Sequence, residues 1–189
     1  MKKLSMAALL LAGLFMSINS QAQGTMAKEE TTVVGGAPMY PSKDIVSNAV
    51  NSSDHTTLVA AVKAAGLVET LQSAGPFTVF APTNAAFEKL PTGTVDNLLK
   101  PESKDALTGV LTYHVVAGKL DSKELIKWIK SAKCSYELTT VAGGKLWIMQ
   151  KGNSLMLKDE KGGMARITIK DVHQSNGVIH VIDSVLLPQ

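Results

Sequence analysis

Cysteine, aromatic side chains and net charge are what this chain has least of, and each scarcity excludes something. A single cysteine, Cys134, cannot close an internal disulfide, so the core must hold without covalent staples. That thiol reads as a partly buried small hydrophobe rather than a reactive group. Aromatics make up 5% of the 189 residues, and the formal net charge is +3. Binding nucleic acid by counterion release needs a clustered positive surface, and no long basic block exists here. Also missing are a Gly-x-Ser-x-Gly elbow, a His-Glu-x-x-His helix, a phosphate loop and paired cysteines. The four histidines, His55, His114, His173 and His180, are scattered without metal-ligand spacing. The expectation is therefore a chain that is not an enzyme, with no catalytic residue, no metal and no cofactor.

What is present begins with an address. Lys2 and Lys3 precede an apolar run from Met6 to Ile18, and Ser20 and Ala22 offer small residues three and one before a cleavage point. This is the three-part pattern of a secretory signal peptide, expected over residues 1–22. The run is shorter than the roughly 18–20 apolar residues of a membrane span, and no later segment is longer, so no transmembrane anchor is expected. No cysteine follows the run, which argues against a lipidated N-terminus. Cleavage lowers the formal charge from +3 to +1 and leaves 167 residues, enough for one domain. The compartment is then periplasmic or extracellular.

Residues 23–39 are polar and glycine-bearing, with no hydrophobic period up to Ala37, and read as a flexible leader before a single domain over 40–189. Ser42 or Asp44 can cap a first helix through Ile45 and Val46. Leu58, Val59, Val62, Ala65 and Leu67 recur at helical spacing, with Gly66 interrupting or ending that helix. Phe77 to Ala81 reads as a strand, Ala85 to Leu90 as a short helix, and Thr94 to Leu99 and Ser103 to Leu111 as further helices. Tyr113 to Val116 reads as a strand. Asp121 and Glu124 have capping-box spacing ahead of a helix through Trp128. After Cys134 come short strand-like runs separated by glycine-rich turns, with Asn176-Gly177 as the tight turn into the last of them. Helices first and a strand meander second argue an α+β domain.

Three segments carry a resemblance. Gly75-Pro76-Phe77-Thr78-Val79-Phe80-Ala81-Pro82-Thr83-Asn84-Ala85-Ala86-Phe87, Tyr113-His114-Val115-Val116, and Asn176-Gly177-Val178-Ile179-His180-Val181-Ile182-Asp183 through Pro188 resemble, in order and spacing, the signature of fasciclin domains. The likeness runs from about Tyr40 to Gln189 and implies a wedge of two small β-sheets with helices packed along one side. Asn84 stands where the family often carries aspartate, which removes a charge while keeping a short side chain fit to cap the helix at Ala85. In animal members the tyrosine–histidine motif is associated with integrin recognition. The resemblance thus marks Tyr113, His114 and the flanking Leu111, Val115 and Val116 as a candidate adhesion motif.

Each of these residues also has a structural reading. Phe77, Thr78, Phe80, Pro82, Thr83, Asn84, Phe87, Asn176, Gly177, His180 and Asp183 read as core, turn and capping positions. If Tyr113 and His114 lie on a strand, one faces inward and the other outward. Asp171 and His173 read as solvated. Trp128 and Trp147 read as anchors of satellite cores rather than sugar platforms, a reading that an exposed tryptophan reverses. The function implied is an exported, non-catalytic module for cell adhesion or matrix binding. Its partner is a cell-surface or matrix protein or a polysaccharide, with self-association as a further option. The alternative is a periplasmic binder of a small apolar ligand held in the wedge, which a cavity of about 300 Å³ or more would favour.

Overall fold

The computed structural model describes residues 30–189. The signal peptide and the first part of the leader lie outside the described residues. The rest of the leader is a correction: β1 (Thr32–Val34) and β2 (Ala37–Met39) form an antiparallel hairpin. Val34 and Met39 are each 1% exposed and belong to the core. The stretch is too short to show a period, yet two inward-facing side chains suffice to pin it.

Helices follow with legible local causes. Asp44 caps α1 (Ile45–Ala49) by accepting from the Ser47 amide, as a short oxygen-bearing side chain does at an N-cap. A 3₁₀ turn, Ser53–His55, leads into α2 (Thr56–Ala65), whose Leu58, Ala61, Val62 and Ala65 are buried on one face. Gly66, at φ 74°, ends that helix in the left-handed region. Then come α3 (Val68–Gln72), β3 (Phe77–Pro82), α4 (Asn84–Glu88), α5 (Thr94–Leu98) and α6 (Lys104–Tyr113).

After β4 (Val115–Ala117), Asp121 caps α7 (Ser122–Ser131) by accepting from the Glu124 amide. The strands β5 (Ser135–Thr139), β6 (Lys145–Lys151), β7 (Ser154–Lys158), β8 (Met164–Gln174) and β9 (Gly177–Ile182) complete the chain. Seven strands are hydrogen-bonded in the order β4-β3-β9-β8-β7-β6-β5. The α+β class stands, but the two sheets of the wedge share one strand. The first three residues of β8 pair with β7, and the stretch from Ile167 onward pairs with β9 across two register shifts, between Ile167, Ile169 and Val172. Such irregularities bend a strand. The outer edges meet where Val116 bridges Thr140 and the Val141 amide donates to the Val115 carbonyl at 2.7 Å.

This path creates two cores. One lies between the helices and the β3-β9-β8 portion, built from residues such as Ile45, Leu58, Val62, Leu107, Val79 and Ile179. The other fills the wedge itself with Phe80, Tyr113, Leu125, Leu146, Ile148, Leu157, Ile182 and Leu186. Because β9 has a core on each side, all six of its residues are buried, as expected of a strand covered on both faces. The turn before it consists of Ser175 and Asn176, since Gln174 pairs with Gly177. Gly177 serves a different need from the turn expected for it. A Cβ there would lie 2.0 Å from the Phe77 carbonyl oxygen, so only glycine lets β3 and β9 approach.

Candidate functional site

The tyrosine–histidine motif lies at a helix end, not on a strand. Tyr113 is the last residue of α6 and His114 caps it, so strand alternation does not apply and both turn inward. Leu111, Tyr113, His114, Val115 and Val116 are all buried. His114 commits both ring nitrogens to backbone: Nδ1 donates to the Val110 carbonyl at 2.8 Å, and Nε2 accepts from the Leu186 amide at 3.0 Å. This network requires the neutral imidazole. Burial pushes the His114 pKa down to about 4, against smaller upward effects of the Val110 carbonyl and Asp159.

Tyr113 is the pin of a second network. Its hydroxyl donates to the Lys145 carbonyl at 2.6 Å and accepts from the Glu160 amide at 3.2 Å. Burial, with lesser contributions from Glu160 and Asp159, raises its pKa to about 12. The ring needs space that only glycine leaves, because a Cβ on Gly144 would sit 2.6 Å from Cε2 of Tyr113. Glu160 then accepts from the amides of Lys145 at 3.0 Å and Gln189 at 3.4 Å, while Asp159 accepts from Leu187 at 3.0 Å. The C-terminal strap, which has no regular structure after Ile182, is therefore held by His114, Asp159 and Glu160.

The other motif residues brace elements far apart in sequence. Asn176 accepts from the Ile45 amide at 3.1 Å and donates to the carbonyls of Leu71 and Ser73 at 2.8 and 2.9 Å. Thr83, not Asn84, caps α4 by accepting from Ala86. Asn84 reaches instead to the start of α2, accepting from the Thr57 amide at 3.0 Å and donating to the Ser53 carbonyl at 2.8 Å. An aspartate could not make the second bond. Thr78 donates to the Gly118 carbonyl at 2.6 Å and accepts from the Leu120 amide at 2.9 Å. Phe77 and Phe87 pack against the helix-side core and Phe80 into the wedge, while Pro82 is buried at the end of β3. Asp183 accepts from the Arg166 amide at 2.8 Å.

His180, 0% exposed, donates through Nε2 to the Leu120 carbonyl at 2.8 Å and accepts at Nδ1 from the Asp171 amide at 3.3 Å. It also stacks on Phe80 at 5.7 Å between ring centroids. Burial pushes its pKa down. Asp171 is a correction: the residue expected to be solvated is half-buried and accepts from the backbone and hydroxyl of Ser122, while His173 is exposed. His55 is also buried and lowered in pKa by that burial. Its Nδ1 meets the Ser52 hydroxyl at 2.9 Å, and its Nε2 faces the Ala81 carbonyl without completing a hydrogen bond. Cys134 is exposed rather than partly buried, because it follows the left-handed Lys133 in the turn after α7.

Among the described residues no group of His, Cys, Asp and Glu is arranged to hold a metal ion. Open chemistry lies elsewhere, on the outer face of the β5–β8 half. Inward Leu138, Leu146, Ile148, Leu155 and Leu157 are buried, while outward Trp147, Met149 and Met156 are only partly buried. Met149 pairs with Met156 and with Ser135, and Trp147 with Lys158 and Glu137, so these side chains stand together on one face. A hollow of about 340 Å³ opens there, lined by Ser135, Trp147, Met149, Lys158, Asp159 and Glu160. Sequence reasoning left Trp147 in a satellite core; Trp128, by contrast, packs on Tyr136 at 4.9 Å against the wedge core. The outward alternation of β6 was the available signal.

An apolar groove lies between α1, α2, α3 and β3, with Leu58, Val62, Leu71 and Val79 among its walls, but it encloses only about 70 Å³. The space inside the wedge is occupied by side chains. No helix among the described residues is long and apolar enough to cross a membrane.

Comparison with known proteins places this geometry in context. The family model for the fasciclin domain matches residues 53–188. A Synechocystis protein, sll1483, is 44% identical over 179 residues, covering 94% of this chain and 92% of that protein. The immunogenic protein MPB70 of Mycobacterium bovis is 39% identical over 153 residues, covering 78% of this chain and 70% of its own. The cell surface glycolipoprotein MPB83 of the same species is 32% identical over 167 residues, covering 86% and 68%. In structure, the chain is similar to a FAS1 domain pair from the insect cell adhesion molecule fasciclin I, with a TM-score of 0.68 at 19% identity. That match covers 78% of this chain and spans about half of the other, 52%, so it speaks for the fold alone.

Proposed function

Because the chain belongs to the fasciclin family, we propose that it is an exported, non-catalytic interaction module that holds a cell-surface or matrix component. The observation that carries this reading is the outer face of β5–β7, where the outward-facing Trp147, Met149 and Met156 stand only partly buried and side by side among charged neighbours. Exposed apolar side chains gathered on one face mark interaction sites on folded proteins. A non-catalytic role is supported by two of the histidines: each nitrogen of His114 and His180 is committed to backbone, so neither offers a general base at a cleft. The name of the relative MPB83, a cell surface glycolipoprotein, agrees with an exported location.

The tyrosine–histidine motif enters this proposal as an internal support. Buried as it is, it shapes the contact face by fixing Lys145, Glu160 and the C-terminal strap. The alternative, an apolar-ligand carrier, rests on the groove beside α2. At about 70 Å³ that groove falls well below the roughly 300 Å³ at which small-ligand sites begin, so the interaction reading is preferred.

The test is binding of the purified protein to its own cells and to immobilised matrix proteins and polysaccharides, with Met149→Lys and Met156→Lys alongside. Binding that these variants lose while their melting curves stay unchanged supports the outer face. A parent protein that binds no surface and no polymer at micromolar concentration sinks the reading.

A further inference from the structure

The hollow at the rim of the outer face differs in chemistry from the helix-side groove and from the small cavity beside His55. The helix-side groove is walled almost wholly by hydrocarbon, and the small cavity beside His55, about 20 Å³, is apolar apart from that ring. The hollow of Ser135, Trp147, Met149, Lys158, Asp159 and Glu160 joins an indole and a thioether to a hydroxyl, an ammonium and two carboxylates. Its volume, about 340 Å³, lies at the small end of the roughly 300–1,000 Å³ range of ligand sites.

The polar groups divide into two kinds. Within the described residues, the Ser135 hydroxyl, the Lys158 ammonium and the Trp147 indole N–H have no hydrogen-bond partner, so all three are free to bind. The carboxylates are fixed in place by backbone donors. Glu160 is held by the amides of Lys145 and Gln189, and Asp159 by those of Gly163 and Leu187. The oxygens of the partly buried Glu160 keep a second lone pair for a ligand donor, while Asp159, 3% exposed, contributes its charge. Glu160 is positioned from below as well, because its own amide donates to the Tyr113 hydroxyl. Free donors therefore sit beside pre-set acceptors, and both flank an aromatic ring with an apolar face.

We propose that this hollow binds a sugar unit of a neutral polysaccharide. A pyranose presents the same division in reverse, with an apolar C–H face for Trp147 and Met149 and vicinal hydroxyls that both donate and accept. Hydroxyl donors suit Glu160, and hydroxyl acceptors suit Lys158, Ser135 and the indole N–H. An acidic sugar suits the site less well, since two carboxylates face one lysine and like charges repel at close range. A purely apolar ligand would leave the three free donors, on Ser135, Lys158 and Trp147, without partners. The inference rests on the interaction reading above and names its partner.

The experiment titrates the purified protein by calorimetry with cellohexaose, chitohexaose, mannohexaose and a galacturonate hexamer. Variants are Trp147→Ala, Trp147→Phe and Lys158→Ala, each with a thermal melt. The expected result is binding to at least one neutral hexasaccharide, weakened at least about tenfold by Trp147→Ala, as loss of an aromatic platform implies. Trp147→Phe should retain most of it. Lys158 is exposed and makes no ion pair among the described residues, so Lys158→Ala gives a stable variant even if Trp147→Ala unfolds, and it should weaken binding several-fold. Failure of the parent to bind any neutral hexasaccharide overturns the proposal, as does binding that survives both Trp147→Ala and Lys158→Ala, or a preference for the galacturonate. Parallel binding to immobilised matrix proteins separates the two readings. Protein binding without sugar binding removes the saccharide and leaves the interaction module, whereas the absence of both removes the two together.

Discussion

The two halves of the sheet differ in how many of their faces are covered. The β4-β3-β9 half is sandwiched, with helices on one side and the wedge core on the other, and β9 has no exposed residue. The β5-β6-β7 half is covered on its inner face only, and its burial alternates along each strand. Every segment that carries the family resemblance belongs to the first half or its connections. The outward row of Trp147, Met149 and Met156 and the polar groups beside it belong to the second. Recognisability in this protein follows packing constraint, and the face proposed for a partner lies where that constraint is weaker.

The strongest way to break that contrast is Tyr113→Ala. Removing a fully buried aromatic that also bridges Lys145 and Glu160 should cost about 3–5 kcal/mol, read as a lower urea midpoint. A loss under about 1 kcal/mol would mean the motif is not the pin between the halves.

Next in size is acid. His114 has a folded pKa of about 4, below its ordinary 6.5, and His55 and His180 are shifted in the same direction by burial. The unfolded chain thus binds more protons, so stability is complete above about pH 6.5 and falls as pH drops toward 4. From His114 alone the loss is about 3 kcal/mol. Urea titrations at pH 7 and 4.5 check it, and equal stabilities at the two would contradict the neutral, doubly bonded imidazole.

Asn84→Asp is expected to cost about 1–2 kcal/mol, because the Ser53 carbonyl loses its donor and gains a charge beside it. Unchanged stability would show that the bracket between α2 and α4 carries no weight. Smallest of all, Met156→Lys on the open face should move stability by less than about 0.5 kcal/mol. A larger loss would show that this face is covered and the contrast false.

The helices of the first half were legible because their causes are local. The caps Asp44 and Asp121, the stop at Gly66 and the spacing of Leu58, Val62 and Ala65 are each complete within a few residues. The hairpin at 32–39 was not legible, since three-residue strands show no period and Val34 and Met39 find their partners far along the chain. The Tyr113-His114 pair misled for a related reason. Its aromatic and β-branched neighbours read as a strand, but α6 continues to Tyr113 because helix geometry carries that ring into the wedge. The candidate site was half-visible: alternation in β6 sends Trp147 and Met149 outward together, yet nothing in the chain says that Ser135 and Glu160 arrive beside them.

What the sequence determined by itself is the α+β class, the family and most helix boundaries, because backbone propensity, capping and short-range hydrophobic period act over neighbouring residues. Only tertiary structure decided which residues are free. Burial of Tyr113, His114 and His180, the reach of Asn84 and Asn176 across the fold, and the meeting of Trp147, Lys158 and Glu160 depend on which faces β8 bends together. Exposure is a property of the closed molecule, set by contacts between segments up to 135 positions apart, and no local pattern encodes it.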